Sequence, residues 1–190
     1  MTNDIEELNL SIRNHEENGR DGYVENIRFS FIDIPSQISL VIFFRGCSIK
    51  CKDCQNCHLQ TKDETKKVNI DYVMKYIDGK KLNNWICFQG GEPFDQPLFL
   101  YNIIKRLNKK VCIFTGYEFR IIKSKYKNIL DLTNVIMIKA GKFILQKRIY
   151  NKFLATTNQK LFFKINNKFE EFDWIQDTNN KNIIDKIKSI

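Results

Sequence analysis

The amino-acid sequence predicts an α/β fold built on a mainly parallel sheet. Apolar strand-like runs alternate with segments whose apolar residues recur at helical spacing. The strand-like runs are continuous rather than alternating, which is typical of strands that are buried on both faces. Of the 190 residues, 43% are hydrophobic and 28% are charged, an ordinary balance for one globular domain.

The predicted elements follow one another in a regular order. Strands are predicted at residues 23–31, 38–44, 85–88, 111–114, 135–138 and 161–165. Helices are predicted at residues 70–77, 98–107 and 119–126. No repeat and no linker rich in Pro, Gly or Ser divides the chain. We therefore expect one domain over residues 21–190, after a flexible or loosely docked segment at residues 1–20.

Charge and hydropathy bear on the partners and on the location of the protein. The formal net charge is +9, but the lysines are spread along the whole chain, which favours a compositional bias over nucleic-acid binding. No apolar run is long enough to cross a membrane. The first residues are acidic and do not resemble a signal peptide. We expect a cytoplasmic protein with no membrane or nucleic-acid partner.

Six cysteines carry the most specific signal in the sequence. In a cytoplasmic chain they are not expected to form disulfides. Cys87 and Cys112 stand alone inside apolar runs, which indicates core packing. Cys47, Cys51 and Cys54 instead lie together in one loop after a predicted strand, which indicates a metal site.

Three clustered thiolates favour an iron-sulfur cluster with one open corner. Thiolates are soft ligands for such clusters and for zinc, and three of them leave one metal position free for chemistry. The alternative is a structural zinc loop in which Cys57 supplies a fourth ligand. Zinc sites of this kind usually pair two separated knuckles, and the sequence contains no second knuckle.

At this point the sequence resembles the radical SAM superfamily. Its motifs are the Cys-x3-Cys-x2-Cys loop and a Gly-Gly-Glu-Pro turn after the next strand, here residues 90–93. Within the superfamily, the chain is most similar to activating proteins of anaerobic ribonucleoside-triphosphate reductase. That similarity lies in the lead-in at residues 29–56, Thr-Gly-Tyr at 115–117, Gly-Lys-Phe at 141–143 and Thr-Asn-Gln at 157–159.

The resemblance implies a chemistry and a set of site residues. Cys47, Cys51 and Cys54 would ligate three irons of a 4Fe-4S cluster, and the fourth iron would bind S-adenosylmethionine. The reduced cluster would cleave that molecule to methionine and a 5′-deoxyadenosyl radical, with no catalytic residue beyond the cofactors. The cofactor-binding residues would be Asp53, Cys54, Gln55, Gly90, Gly91, Glu92, Thr115 and Lys139.

The resemblance also implies a fold and partners. A complete eight-unit barrel typically takes about 250 residues, so we expect a partial, open (β/α)-barrel of about five to six units. The radical would take a hydrogen atom from a glycine of a glycyl-radical enzyme, with anaerobic ribonucleotide reductase as the first candidate. A flavodoxin or ferredoxin would supply the electron.

Two other functions stay open from the sequence. One is a small-molecule radical SAM enzyme that resembles deazaguanine synthases, which are also short. The Thr-Gly-Tyr and Thr-Asn-Gln similarities favour the activase over it. The other is a non-catalytic zinc module in which Cys57 joins the three loop cysteines.

Overall fold

A computed structural model of the protein describes residues 19–80, 84–150, 153–174 and 180–190. Residues 1–18, which make up most of the predicted N-terminal segment, lie outside the described residues. The strands of the described part form one eight-stranded sheet. They are β1 (Asp21–Ser30), β2 (Ser39–Phe44), β3 (Lys67–Asn69), β4 (Trp85–Gly90), β5 (Lys110–Thr115), β6 (Val135–Ala140), β7 (Lys160–Ile165) and β8 (Lys168–Phe172).

The sheet has the order β3-β1-β2-β4-β5-β6-β7-β8 and is open, with β3 and β8 at its edges. The four central strands β2, β4, β5 and β6 are parallel. The outer strands β1, β3, β7 and β8 pair antiparallel. Since parallel strands share one direction, the loops after β2, β4, β5 and β6 all leave the same edge of the sheet.

Five α-helices belong to the described residues. They are α1 (Ile70–Asp78), α2 (Pro97–Arg106), α3 (Phe119–Lys125), α4 (Lys127–Asp131) and α5 (Lys181–Ser189). The crossover from β2 to β4 contains α1, the crossover from β4 to β5 contains α2, and α3 and α4 lie between β5 and β6. The Asn69 side chain accepts from the Asp71 amide and caps α1.

Side chains alternate between the two faces of the central strands and build two cores. Leu40, Ile42 and Phe44 of β2 pack with the apolar sides of α1 to α4. Val41 and Phe43 point to the opposite face, where the C-terminal helix α5 covers the sheet through Ile183 and Ile187. Both faces of the parallel strands are thus buried, which explains their continuous apolar runs.

The predicted α/β class and the open sheet are confirmed. Among the described residues, three crossovers join the four parallel strands, and the antiparallel strands β1 and β7 flank them. Short strands β3 and β8 and helices α4 and α5 were not predicted, since their apolar residues are few. No described helix has the length and apolar character that a membrane span requires.

Candidate active site

The cysteine loop leaves β2 at the carboxyl edge of the parallel strands. Its entry is Gly46, which has a φ of +87°, a conformation that favours glycine. The Gly46 amide donates to the Leu59 carbonyl at 2.8 Å, and the Cys47 amide donates to the Gln60 carbonyl at 3.0 Å. These bonds close the base of the loop, so that residues 47–58 project together from the strand end.

An arginine supports the loop from outside. Arg45 donates to the carbonyls of His58 at 3.0 Å and Thr61 at 3.2 Å. Its guanidinium also pairs with Glu25 at 2.5 Å. The pairing lowers the pKa of the Glu25 carboxyl, because the hydrogen bond to the cation favours the ionised form. Sequence reasoning missed this support.

Three of the four loop cysteines face one cavity, which we call the cysteine cavity. Cys47, Cys51 and Cys54 line it and are partly exposed, whereas Cys57 is exposed and lies outside the lining. The cavity has a volume of about 850 Å³, including the part open to solvent. The other lining residues are Ile49, Gln55, Asn56, Gln60, Gln89, Gly90, Gly91, Glu92, Phe114, Thr115, Gly116, Lys139, Gly141, Phe143, Ala155 and Gln159.

The three thiols around the cavity fit the ligand set of an iron-sulfur cluster. Among the residues that the structure describes, no three His, Cys, Asp or Glu side chains converge closely enough to hold one metal ion. A zinc site needs four donors about 2.3 Å from one point. The corners of an iron-sulfur cube are instead spread over several ångströms, so its three ligands need only surround a common cavity, as Cys47, Cys51 and Cys54 do.

Two opposing effects act on the thiol of Cys47. Burial raises the pKa of its thiol, and hydrogen bonds from the backbone amides of Lys50 and Ile49 act in the opposite direction. Such N–H donors stabilise a negatively charged sulfur. Lys50 itself has a φ of 45°, an uncommon conformation for a residue with a side chain.

The Gly-Gly pair forms the cavity wall next to the cysteine loop. The Gly91 amide donates to the Phe44 carbonyl at 2.7 Å, and the Glu92 amide donates to the Gly46 carbonyl at 2.8 Å. A Cβ on Gly90 would lie 2.7 Å from the Phe44 carbonyl oxygen, and Gly90 has a φ of +110°. Neither position therefore has room for a side chain, and the backbone itself faces the cavity.

Glu92 joins the Gly-Gly turn to the loop after β5. Its side chain is 1% exposed. The carboxylate accepts from the Thr115 hydroxyl at 2.8 Å, the Gly116 amide at 2.8 Å and the Phe94 amide at 3.0 Å. Burial raises its pKa to about 7, against the effect of these donors. Both oxygens accept from protein donors, so Glu92 holds the turn after β4 and the loop after β5 together.

Asp95 makes a second connection between loops. Its carboxylate accepts from the Ser48 amide at 2.5 Å, the Ser48 hydroxyl at 2.9 Å and the Tyr117 hydroxyl at 2.8 Å. The two hydroxyl oxygens are themselves 2.9 Å apart. The cysteine loop, the turn after β4 and the loop after β5 thus meet at one carboxylate.

Lys139 lines the cavity at some distance in sequence from the cysteines. Its ammonium lies 4.6 Å from the centre of the Phe114 ring and 5.4 Å from that of Phe153. Burial lowers its pKa, and the nearby Asp33 acts against this. Asp33 in turn accepts from the Gln89 side chain at 2.6 Å. This wall of the cavity therefore offers a cation to an anionic group.

The late motifs complete the cavity. The Gly141 amide donates to the carbonyls of Thr115 at 3.1 Å and Tyr117 at 3.0 Å. The Gln159 side chain donates to the Gly141 carbonyl at 3.0 Å and accepts from the Ala155 amide at 3.0 Å. Gly141, Phe143 and Gln159 all line the cavity, so residues far apart in sequence share one site.

The structure brings most of the predicted site residues together. Those that line the cysteine cavity are Cys47, Cys51, Cys54, Gln55, Gly90, Gly91, Glu92, Thr115 and Lys139. Asp53 is exposed, has a φ of 60° and does not line it, so its contact with adenosine stays a prediction. Cys87 and Cys112 are fully buried on adjacent strands, in register with each other, as expected of core residues.

One protein family matches the part of the chain that contains the cysteine loop and the central strands. Residues 37–162 match the family described as "4Fe-4S single cluster domain". The matched range runs from the start of β2 to β7 and contains every residue of the cysteine cavity.

Two curated proteins are similar to parts of the chain. A pyruvate formate-lyase-activating enzyme from Clostridium pasteurianum is 29% identical over 132 residues, which are 63% of this chain and 51% of that enzyme. A 7-carboxy-7-deazaguanine synthase from Archaeoglobus fulgidus is 35% identical over 74 residues, 35% of this chain and 32% of that enzyme. The chain thus spans about half the length of the first relative and about a third of the second.

A solved structure of QueE from Escherichia coli is also similar. It superimposes with a TM-score of 0.42 and 15% sequence identity, over 50% of this chain and 53% of that one.

Proposed function

Because the chain belongs to the family of 4Fe-4S single cluster domains, and with it to the radical SAM superfamily, we propose that it is an activase that generates a glycyl radical on a partner enzyme. Its cofactors are a 4Fe-4S cluster and S-adenosylmethionine. The observation that best supports their placement is that three loop cysteines line one cavity and the fourth does not.

Cys47, Cys51 and Cys54 hold the cluster in this proposal. When bound and reduced, the cluster supplies the electron that cleaves S-adenosylmethionine to methionine and a 5′-deoxyadenosyl radical. The protein positions the reactants and excludes water. Amides of Ile49 and Lys50 support the Cys47 sulfur, and the closed base of the loop keeps the three thiols on one side.

The remaining cavity residues bind S-adenosylmethionine. The bare backbone of Gly90 and Gly91 lets the amino group of methionine approach closely. Lys139 offers a positive charge to the methionine carboxylate. Cys54 and Gln55 lie along the adenosine, together with the neighbouring Asp53, which does not itself line the cavity. Thr115 contacts the methionine or the ribose. Glu92 acts through the loops that it connects.

The partner is a glycyl-radical enzyme, with the large subunit of anaerobic ribonucleotide reductase as the first candidate. The similarity to a pyruvate formate-lyase-activating enzyme supports the class of partner, and the Thr-Gly-Tyr and Thr-Asn-Gln motifs support the ribonucleotide reductase branch. A flavodoxin or ferredoxin supplies the electron, and the reaction takes place in the cytoplasm.

Electron paramagnetic resonance tests the proposal. The reconstituted full chain is reduced anaerobically with S-adenosylmethionine and mixed with candidate glycyl-radical enzymes. We expect a glycyl radical doublet on one of them, and its absence from a partner whose radical glycine is replaced by alanine. Cleavage of S-adenosylmethionine without a radical on any candidate would contradict the activase assignment while leaving the cofactor chemistry intact.

The similarity to a 7-carboxy-7-deazaguanine synthase favours a second candidate function, a small-molecule radical enzyme. In that case the cation of Lys139 would face an anionic group of the small substrate. The discriminating measurement is an assay of the reconstituted chain for formation of 7-carboxy-7-deazaguanine, the compound for which that relative is named. Formation of a deazaguanine product, with no radical on any protein partner, would favour this second function.

A further inference from the structure

Asp95 occupies an unusual position between the three loops of the site. It lies in the turn after Gly-Gly-Glu-Pro and reaches across to Ser48, the residue that directly follows Cys47. Both carboxylate oxygens are used, Oδ2 by the Ser48 amide and Oδ1 by the hydroxyls of Ser48 and Tyr117. Hydrogen bonds of this kind to an ionised acceptor are about twice as strong as neutral ones.

The donors to Asp95 are held in their protonated form. Burial, together with the charges of Asp95 and Glu92, raises the pKa of Tyr117 to about 12. Its hydroxyl therefore keeps its proton and remains a donor at all physiological pH values. The Ser48 amide has no alternative protonation state, so both of these donors stay available to Asp95.

The connection acts on the first cysteine of the loop. The Cys47 amide is fixed on one side by the Gln60 carbonyl at 3.0 Å. The Ser48 amide fixes the peptide on the other side through Asp95. The next two amides, those of Ile49 and Lys50, donate to the Cys47 sulfur. Movement of Ser48 would thus move both the thiol and its donors.

We propose that Asp95 is a positioning residue for the cluster. With Ser48 and Tyr117 it fixes the backbone that carries Cys47, and its negative charge close to this ligand keeps the reduction potential of the cluster low. The inference rests on the assignment of Cys47 as a ligand in the proposed function. A negative charge near the cluster disfavours the added electron, and the cavity around Cys47 screens charges less than water does.

Two substitutions separate geometry from charge. In Asp95→Asn, the amide oxygen can accept from the Ser48 backbone while the amide nitrogen donates to a hydroxyl, so the connection survives and the charge is lost. In Asp95→Ala, both are lost. Tyr117→Phe keeps the charge and removes one donor. Matched controls are Asp78→Asn and Tyr72→Phe, because both residues are exposed and lie on α1, on the crossover that leads to β4.

The experiment measures two properties of the full chain. Hydrogen exchange of the Ser48 amide is followed before and after reconstitution with iron and sulfide. The midpoint potential of the reconstituted cluster is determined by a redox titration followed by electron paramagnetic resonance. We expect Asp95→Ala to speed exchange of the Ser48 amide about tenfold or more, because its acceptor is removed.

We expect Asp95→Asn to leave hydrogen exchange of the Ser48 amide near the wild-type rate. In the same variant, the ratio of reduced to oxidised cluster at a fixed potential rises about tenfold, which corresponds to 59 mV for a one-electron couple. Tyr117→Phe changes the exchange rate of the Ser48 amide by less than Asp95→Ala does, and the midpoint potential by less than Asp95→Asn does. The two control variants change neither. A purely structural role would predict the wild-type potential in Asp95→Asn, because the connection survives there, with unfolding or iron loss only in Asp95→Ala.

The possible failures are distinguishable. An iron-loaded Asp95→Asn protein with the wild-type potential would overturn the electrostatic role of Asp95. Wild-type exchange of the Ser48 amide in Asp95→Ala would overturn its positioning role. If that variant does not fold, wild-type exchange of the Ser48 amide in Tyr117→Phe overturns this role instead. A wild-type chain that binds no iron would overturn the ligand assignment of the proposed function instead.

Discussion

Gly91 lies directly against Gly46, so the turn after β4 and the entry of the cysteine loop touch through their backbones. A Cβ on Gly91 would stand 2.2 Å from the Gly46 carbonyl oxygen, closer than any real contact allows. The neighbouring Glu92 amide donates to that same oxygen at 2.8 Å. The absence of two side chains is what lets this wall of the cysteine cavity lie beside the cysteines.

Gly91→Ala is therefore expected to destabilise the protein. The added methyl group meets backbone that cannot rotate away, and overpacking of this kind costs about 3 kcal/mol. The free energy of unfolding from urea titration measures the effect. Gly79→Ala is the matched control, because a Cβ there meets nothing closer than 3.6 Å. Equal stability of the two variants would show that the two loops can move apart.

The four loop cysteines are expected to differ in their effect on iron. Cys47→Ser, Cys51→Ser and Cys54→Ser each remove a thiolate from the cavity, and we expect each to lose most of the iron after anaerobic reconstitution. Cys57→Ser should retain wild-type iron, because Cys57 is exposed and outside the cavity lining. Iron and acid-labile sulfide analysis measures this. Loss of metal in Cys57→Ser would instead support a structural zinc site with four cysteine ligands.

Glu92 predicts a pH dependence of stability. Its folded pKa of about 7 lies above the ordinary value of 4.5, because burial disfavours the ionised form. The folded state therefore binds more protons than the unfolded state between these values, and stability falls as pH rises from about 4.5 to about 7. The contribution of this one group to the free energy of unfolding is about 3 kcal/mol over that range.

Glu92→Gln removes this titration. Urea titrations of the cluster-free chain at pH 5 and pH 7 should show a smaller loss of stability in the variant than in the wild type. The control is Glu170→Gln, since Glu170 is exposed and the same substitution there should leave the pH dependence unchanged. An identical pH dependence in Glu92→Gln and the wild type would mean that the three donors keep the carboxylate ionised throughout.

Lys139 is expected to contribute to the binding of S-adenosylmethionine. Lys139→Met keeps the aliphatic part of the side chain against Phe114 and Phe153 but removes the cation. We expect the Kd for S-adenosylmethionine to rise about tenfold, the loss of one charge-assisted hydrogen bond. Isothermal titration calorimetry on the reconstituted protein measures the Kd. The control Lys142→Met removes an exposed cation outside the cavity, and an equal effect there would indicate a general charge effect.

The sequence predicted the parts of the site that are encoded locally. Cys47, Cys51 and Cys54 stand within eight positions, and Gly90-Gly91-Glu92 directly follows a strand, so spacing and residue type were sufficient. The order of strands and helices also indicated that these loops share one edge of the sheet.

The support of the site could not be predicted in this way. Ser48 and Asp95 are 47 positions apart, and Arg45 and Glu25 are 20 apart. Their contacts depend on how far each loop reaches across the sheet edge, and nothing in the local pattern encodes this. Asp95 also stands in an ordinary turn, where an acidic residue in the first turn of a helix is common.

The most direct test of the account is reductive cleavage of S-adenosylmethionine by the purified chain. The protein is prepared anaerobically, its iron and zinc are counted, and 5′-deoxyadenosine and methionine are quantified after reduction. The account predicts about four irons per chain and equal amounts of both products, with cleavage abolished in Cys51→Ser. Zinc without iron, and no 5′-deoxyadenosine after reduction, would contradict it.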